Sequence, residues 1–421
     1  MAMQEREIVV VGAGVIGLSV AYRLLEDISN TKSGIKYYIT LISDKGPSTD
    51  FNGNKYSPDY TSFFAGAHQR PFPSDYTNEE KLTFQRRESI YTSDTFKYFC
   101  KKKWNLDTAS TIKFVKGYDC ITNPSNEYKN FNDGYEQKTL KNFKKYDTLD
   151  PDLIPINEQN KCKMINSYDT YVLNTPIYLS FLLNECVKLA NNNLKKICFK
   201  HSFNVKIHSL NESITYKQSV DKPVIVNCSG TGLQWCSNKN DADYFPVRGQ
   251  TLLISVPKPS KSENFFFFSR KSGSLSAVSK FETATITHQA GSEWSFVIQR
   301  PLPKSHPDFN KKLHFIIGGT KQENSFVQEE SQSDTIKLIA NGKTIFPKLF
   351  EMDWKIERVN VGLRPGRKGG SDVSLNHKVY EDKYFPIVNV FGFGGYGVEC
   401  SMGAAEHALQ LIKRGFKESL L

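Results

Sequence analysis

Apolar positions along this chain follow two rhythms. Apolar-rich runs stand at Ile8 to Val11, Ile35 to Ile42 (IKYYITLI), Val224 to Val226 and Ile387 to Phe391 (IVNVF). Runs of this kind suit strands buried on both faces, as in a parallel sheet. Helical spacing follows in the residues after Gly17, in Asn174 to Ala190 (apolar at Ile177, Leu179, Phe181, Leu182 and Leu189) and in Val398 to Ile412. Asp27 to Gly34 reads as a polar loop between the first helix and the second strand. Residues 81–165 break the alternation, being polar, aromatic and irregular apart from one helix expected near Lys81 to Lys102. From Phe245 the pattern becomes β, with strands expected at Gln250 to Val256, Trp294 to Ile298, Leu313 to Ile317 and Trp354 to Leu363, and a helix at Asp334 to Ala340. The reading is an α/β layer assembled from separated segments beside a β-rich unit, α+β overall.

The first run leads into glycines at 12, 14 and 17, within IVVVGAGVIGLSVA. Gly12 allows a tight turn, Gly14 lets backbone approach a pyrophosphate, and Gly17 lets the new helix pack on the strand. Free N–H groups and the dipole at that helix start favour phosphate. These glycines alone leave NAD and FAD both open. In dinucleotide folds an acid at the end of the second strand binds the ribose hydroxyls. Asp44 is the candidate here, its alternative role being a strand-end turn residue. In Ser62 to Asp75 the small residues Ala65, Gly66 and Ala67 lie between aromatics and a His-x-Arg pair, and would let a flat ring system approach the backbone. Pro71 and Pro73 then end the segment. Asn227-Cys228-Ser229-Gly230 offers another close approach, or a plain turn. Gly392 to Gly397 (GFGGYG) is a second glycine turn entering a helix, with no phosphate left to place there. Its helix N-terminus suits the electron-rich end of a flavin.

Composition narrows the classes. At 421 residues, with 39% hydrophobic and 13% aromatic content, the chain can bury sizeable cores. The formal net charge of +11 comes from lysines spread through polar loops, which read as a solvated surface rather than a nucleic-acid patch; that field can still draw in small anions. No apolar run approaches the roughly 20 residues of a membrane span. The eight cysteines form no C-x-x-C pair or His-Cys cluster, so no metal site is expected.

Taken together, these residues resemble the D-amino-acid oxidase family of FAD-dependent flavoenzymes, which includes D-aspartate oxidase, and they look most like its fungal members. The resemblance rests on VVVGAGVIGLSVA at 9–21, FAGAHQRPF at 64–72, VNCSGTG at 226–232, RGQ at 248–250, VGLRPGRKGG at 361–370 and FGFGGYG at 391–397. It implies FAD, a D-amino acid substrate with O₂, and a homodimer. It also implies a Rossmann-like FAD-binding domain from residues 1–80, 166–240 and 362–421, beside a β-rich substrate-binding domain from 81–165 and 241–361. FAD would be held by Gly12, Ala13, Gly14, Val15, Ile16 and Gly17, by Asp44 and Lys45, by Ala65, Gly66 and Ala67, by Ile207, by Ser229 and Gly230, and by Gly394, Tyr396, Gly397 and Val398.

By the same resemblance Arg364 pairs with the substrate α-carboxylate, and a planar guanidinium is the side chain suited to that task. The Gly395 carbonyl would accept from the substrate amine, with backbone N–H groups of Tyr396, Gly397 and Val398 facing the flavin. Phe296 stands where the family commonly has a tyrosine over the substrate. The implied reaction is hydride transfer from the α-carbon to flavin N5, followed by imino acid release and hydrogen peroxide formation; the alternatives are a related oxidase acting on glycine or sarcosine, or a flavin-binding protein without oxidase turnover. His68 and Arg70 depart from the family pattern; one of them would bind an acidic substrate side chain, or His68 packs on the flavin and Arg70 holds a loop. The terminal Ser419-Leu420-Leu421 resembles a peroxisomal tripeptide without its basic residue, and peroxide chemistry favours a peroxisome, with the cytoplasm as the alternative.

Overall fold

Two sheets divide the chain in the computed structural model, which describes residues 4–47, 57–102, 104, 110–136, 138–148, 154–231, 233, 242–258, 284–290, 293–380 and 383–418. The first stretch holds β1 (Glu5–Val11), α1 (Val15–Asn30), β2 (Lys36–Ile42), α2 (Glu79–Lys102), β3 (Lys113–Ile121), β4 (Lys144–Tyr146) and β5 (Met164–Val172). Then come α3 (Thr175–Asn191), β6 (Ile197–Ser202), β7 (Val224–Asn227), β8 (Tyr244–Pro257), β9 (Ala284–Ala290), β10 (Glu293–Arg300), β11 (Lys312–Gly318) and β12 (Gln322–Glu323). The chain closes with α4 (Gln332–Ile345), β13 (Lys355–Arg367), β14 (Asp372–Tyr380), β15 (Lys383–Phe391) and α5 (Gly397–Glu418).

The first sheet has six strands in the order β14, β15, β7, β1, β2, β6, parallel except for β14. Val11 pairs with Ile42 on one side and Asn227 on the other, and Asn227 pairs with Asn389. The carboxyl ends of four parallel strands are therefore level, the place where open α/β sheets put their ligands. The unbroken run in β1 reflects burial on both faces. Ile8 and Val10 pack with Leu18, Leu25 and Ala404, while Val9 and Val11 pack with Ile225 and Ile387.

The second sheet has nine strands, running β12, β8, β11, β10, β9, β3, β5, β4, with β13 also paired to β8. Apolar residues of α4, Leu338 and Ile345, pack with Leu252, Ile254 and Val297 of this sheet.

The pattern-based elements differ from the structure at definite places. Asp27 to Asn30 continue α1, so the polar loop is shorter than the spacing suggests. The stretch taken as irregular contributes β3, β4 and the first residues of β5 to the second sheet. Divisions at 166 and 362 fall inside β5 and β13, both strands of that sheet. The helix near 81–102, placed with the substrate unit, packs instead on α5: Thr95 Oγ1 accepts from Met402 N (3.2 Å) and Gly403 N (3.0 Å), and a Cβ at Gly403 would stand 2.5 Å from Tyr91 O. No helix among the described residues is long and apolar enough to cross a membrane. No disulfide joins the seven described cysteines, and no described group of His, Cys, Asp or Glu is arranged to hold a metal. The terminal tripeptide lies outside the described residues.

Candidate active site

A cavity of about 880 Å³ is lined from both sheets, reaching from the glycine turn after β1 to residues of β8, β10 and β13. The glycine turn is shaped by contact. Gly12 sits at φ +105°, and a Cβ there would fall 2.3 Å from Cys228 O; one at Gly17 would fall 1.8 Å from Gly12 O. Gly12 N donates to Ile42 O at 2.8 Å and Tyr60 OH donates to Ala13 O at 2.7 Å, which fixes the turn from two sides. Gly14 is the N-cap of α1, with no side-chain cap and no acid in the first turn. No acid of its own first turn offsets the dipole of that helix start, although Val15 N already donates to Ser62 Oγ at 3.0 Å. Gly230 stands at φ +59° with nothing within 4 Å of its Cβ position.

Gly12, Gly14, Val15, Ile16, Ala65, Gly66, Ala67, Ser229, Gly230, Gly394, Tyr396, Gly397 and Val398 all line the cavity. Ala13 and Gly17 lie behind the turn, buried in it. Asp44, Lys45 and Ile207 are not on the wall. Asp44 O accepts from Asn204 N at 3.1 Å, and its half-exposed carboxylate meets Lys45 Nζ at 3.2 Å. Ile207 packs against the apolar cluster of Val9 and Ile225. An acid that does line the wall is Asp59, joined to Lys45 Nζ at 2.6 Å and to Ser57 Oγ. Burial works to raise the Asp59 pKa, but the bonds from Lys45 and Ser57 outweigh it and hold the carboxyl below its ordinary value. No strand-end rule points to this residue. Its signal is only an acid in the segment before Ser62, and Ser62 Oγ accepts from Val15 N at 3.0 Å.

At the other end, Gly394 to Tyr396 form one tight turn before α5, with Gly394 at φ +54° and nothing within 4 Å of its Cβ position. A side chain there would fill the cradle. Tyr396 N–H donates to Phe393 O at 2.9 Å, so this donor is used within its own turn rather than facing a ring, contrary to the role the motif implied. Glu88 and Glu399 also line this region. Burial pushes Glu399 up to about 8, against a bond from Arg70 N (3.1 Å) that favours the ionised form.

Arg364, Phe296, His68, Arg70 and Gly395 meet on the same wall. Arg364 lies across Gly249 of the neighbouring strand, where a Cβ would fall 2.3 Å from its guanidinium. Its Nη1 donates to Thr320 O at 3.2 Å, and no described carboxylate pairs with it. Burial lowers its pKa from a very high value. Phe296 fits against three glycines: a Cβ at Gly318 would stand 2.2 Å from its Cζ, and Cβ positions at Gly66 and Gly319 are 3.3 Å from the ring.

His68 is held by a bridge to Val172, with its ring 5.9 Å from that of Phe296. Its Nε2 is buried without a partner, and burial, then Arg70, push its pKa down to about 3. It is a neutral ring at physiological pH and brings no charge to the wall. Arg70 does: its guanidinium carbon sits 3.7 Å from the centroid of Trp294, and Nη2 donates to Tyr128 OH at 2.5 Å. Behind it, 4.0 Å from Nε, is Asp119, which accepts from Tyr135 OH (2.8 Å) and Tyr168 OH (3.1 Å). Burial raises the Asp119 pKa while Arg70 and the two hydroxyls oppose it. Trp294 and Tyr128 also line the cavity, and neither carries a sequence motif.

The wall suits FAD in shape and chemistry: an elongated space, two helix starts, glycines that leave cradles open, and an acid near the glycine turn. Residues 7–411 match the family model described as "FAD dependent oxidoreductase". The chain is 25% identical over 413 residues to a D-aspartate oxidase of Talaromyces thermophilus, covering 96% of this chain and 94% of that one. It is 23% identical over 418 residues to a D-amino-acid oxidase of Schizosaccharomyces pombe, covering 97% and 96%. Among solved structures, glycine oxidase from Geobacillus kaustophilus aligns with a TM-score of 0.62 at 14% identity, over 98% of this chain and 95% of that one.

Proposed function

The chain belongs to the FAD-dependent oxidoreductase family, and we propose that it is an oxidase that deaminates D-amino acids, with acidic ones such as D-aspartate preferred. The observation that carries the proposal is a guanidinium, Arg364, facing a cavity that reaches the glycine turn, with no described carboxylate to neutralise it. A substrate carboxylate is the partner it lacks, and the planar fork can make two parallel bonds to one. Arg70 on the same wall is the second cation and suits a side-chain carboxylate. Full-length similarity to a D-aspartate oxidase supports that choice.

FAD would be held by the turn at Gly12 and Gly14, by Ser229 and Gly230, by Asp59, and by the start of α5 at Gly397 and Val398. When bound, it supplies a hydride acceptor for the α-carbon and passes the electrons to O₂, which leaves as hydrogen peroxide. The protein's part is positioning. Arg364 fixes the carboxylate, the Gly395 carbonyl accepts from the neutral amine, and Phe296 closes one side against water. No wall side chain is needed as a base, and His68, with its low pKa, is a poor one.

Peroxide release on adding single amino acids tests this reading. D-aspartate and D-glutamate should give the highest kcat/KM, other D-amino acids lower values, and L-aspartate, glycine and sarcosine no burst. Turnover of glycine or sarcosine without any D-amino acid would move the protein to a different oxidase activity. A flavin-containing protein silent to the whole panel would refute oxidase function.

A further inference from the structure

A second cavity, of about 240 Å³, opens beside β10 and β13, away from the glycine turn. Its wall includes Arg300, Arg358, His306 and His314, together with Asn174, Pro176 and Ile177 at the start of α3. Arg300 is only 3% exposed and has no described carboxylate partner. Its Nη2 donates to Ala65 O at 2.8 Å and, more weakly, to Thr175 Oγ1 at 3.3 Å, while its Nε is buried without a partner. A buried donor left unpaired beside an uncompensated charge is costly.

The acids on the same wall are already engaged. Asp308 meets His314 Nε2 at 2.9 Å, and Glu357 is bonded by Lys312 Nζ (2.7 Å) and Ser255 Oγ (2.5 Å). Burial, then the neighbouring Arg358, push Arg300 down to about 9, which leaves it a cation at neutral pH with no described carboxylate bonded to it. Burial also lowers both histidines, so they add no charge to the wall; the single ring N–H of a neutral His314 is the one facing Asp308.

The start of α3 adds a second attraction. This helix runs 17 residues, its N-cap Asn174 makes no capping bond, and its first turn holds no acid. The Asn174 side chain instead donates to Pro301 O at 3.1 Å. A helix start so left presents its partial positive charge to whatever occupies the cavity.

We propose that this cavity is a binding site for a small oxyanion, a carboxylate or a phosphate, held by Arg300 with Arg358 and the N-terminus of α3. Because Arg300 also bonds to Ala65, which lines the main cavity, an anion here stiffens the segment against which the main-site ligand lies.

Holoprotein at constant ionic strength, with sodium phosphate or sodium acetate replacing chloride, provides the test. Calorimetric titration and melting curves should both show saturable binding of at least one of the two anions by the wild type and by Arg364→Gln, which removes the cation of the main cavity. Arg300→Gln should weaken that binding at least tenfold, and Arg300→Lys should keep part of it. Should Arg300→Gln fail to fold, Arg358→Gln, at a half-buried position, should still weaken it severalfold. Tighter phosphate than acetate, or the reverse, identifies the natural class, and either result supports the site. No saturable binding of either anion below about 10 mM overturns it. So does binding that vanishes in Arg364→Gln but survives in Arg300→Gln.

Discussion

Replacing Arg70 should cost acidic substrates far more than neutral ones. A hydrogen bond to a charged group contributes roughly 1.5–3 kcal/mol, which is about 10- to 150-fold in kcat/KM. The structure moves the expectation to the lower part of that range, because Asp119 lies 4.0 Å behind Arg70 and draws off part of its field. Taking Arg70 away alone would leave Asp119 buried without its cation, and breaking a buried pair costs about 3–5 kcal/mol of stability. Arg70→Met combined with Asp119→Asn removes both charges, while the amide oxygen can still accept from one of Tyr135 and Tyr168 and the amide nitrogen can donate to the hydroxyl oxygen of the other. In a peroxide-coupled assay with saturating FAD, the pair should lower kcat/KM for D-aspartate by about 10- to 50-fold and for D-alanine by less than about threefold. Asp119→Asn alone should shift the ratio the opposite way, since it leaves Arg70 unopposed. Equal losses on D-aspartate and D-alanine in the double variant would refute the assignment of Arg70 to the substrate side chain.

Arg364→Met should lower kcat/KM for every substrate by about 100-fold or more, since it removes a two-point charged contact common to all; a loss confined to acidic substrates would reassign the residue. Gly17→Ala places a methyl 1.8 Å from Gly12 O and should leave folded protein depleted of flavin, read from the ratio of visible to ultraviolet absorbance after gel filtration. Glu399 has a folded pKa of about 8 against an ordinary 4.5, so the folded state holds a proton that the unfolded chain releases. Its stabilising effect is fully present below pH 4.5 and is lost as pH rises toward 8. Glu399→Gln should therefore gain in Tm relative to wild type between pH 5 and pH 8, and a constant difference across that window would rule out the assigned protonation.

The sequence is most legible where burial is simplest. β1 and β7 are apolar on both faces, so their runs are unbroken and their ends predict the glycine turns that follow. β5 escapes that reading because half of its buried positions are polar. Asn166, Ser167, Asp169 and Thr170 face partners supplied from afar, such as Gln69 O for Thr170 Oγ1 (2.5 Å) and Asn142 Nδ2 for Asp169 (2.7 Å). The site divides in the same way. Gly12, Gly230 and Gly394 are readable because their backbone geometry excludes other residues, and Arg364 is readable through its motif. Trp294, Tyr128 and Asp119 reach Arg70 only by tertiary packing, which leaves no local pattern. Asp44 misleads because the strand-end rule assumes that an acid there turns toward the ligand. Here the backbone of Ser43 and Asp44 continues pairing with Asn204 and Val205, and Asp59 takes the place on the wall.

The level ends of β1, β7 and β15 bear on how the protein is made. Synthesis delivers the glycine turn well before the helix start at Gly397 that lines the same cavity. Thr95, waiting in α2, receives its two amide donors from Met402 and Gly403 later still. A nascent chain halted before that point has one end of the cavity wall and lacks the other. On the proposed reading, tight capture of the flavin should therefore wait until α5 has been made.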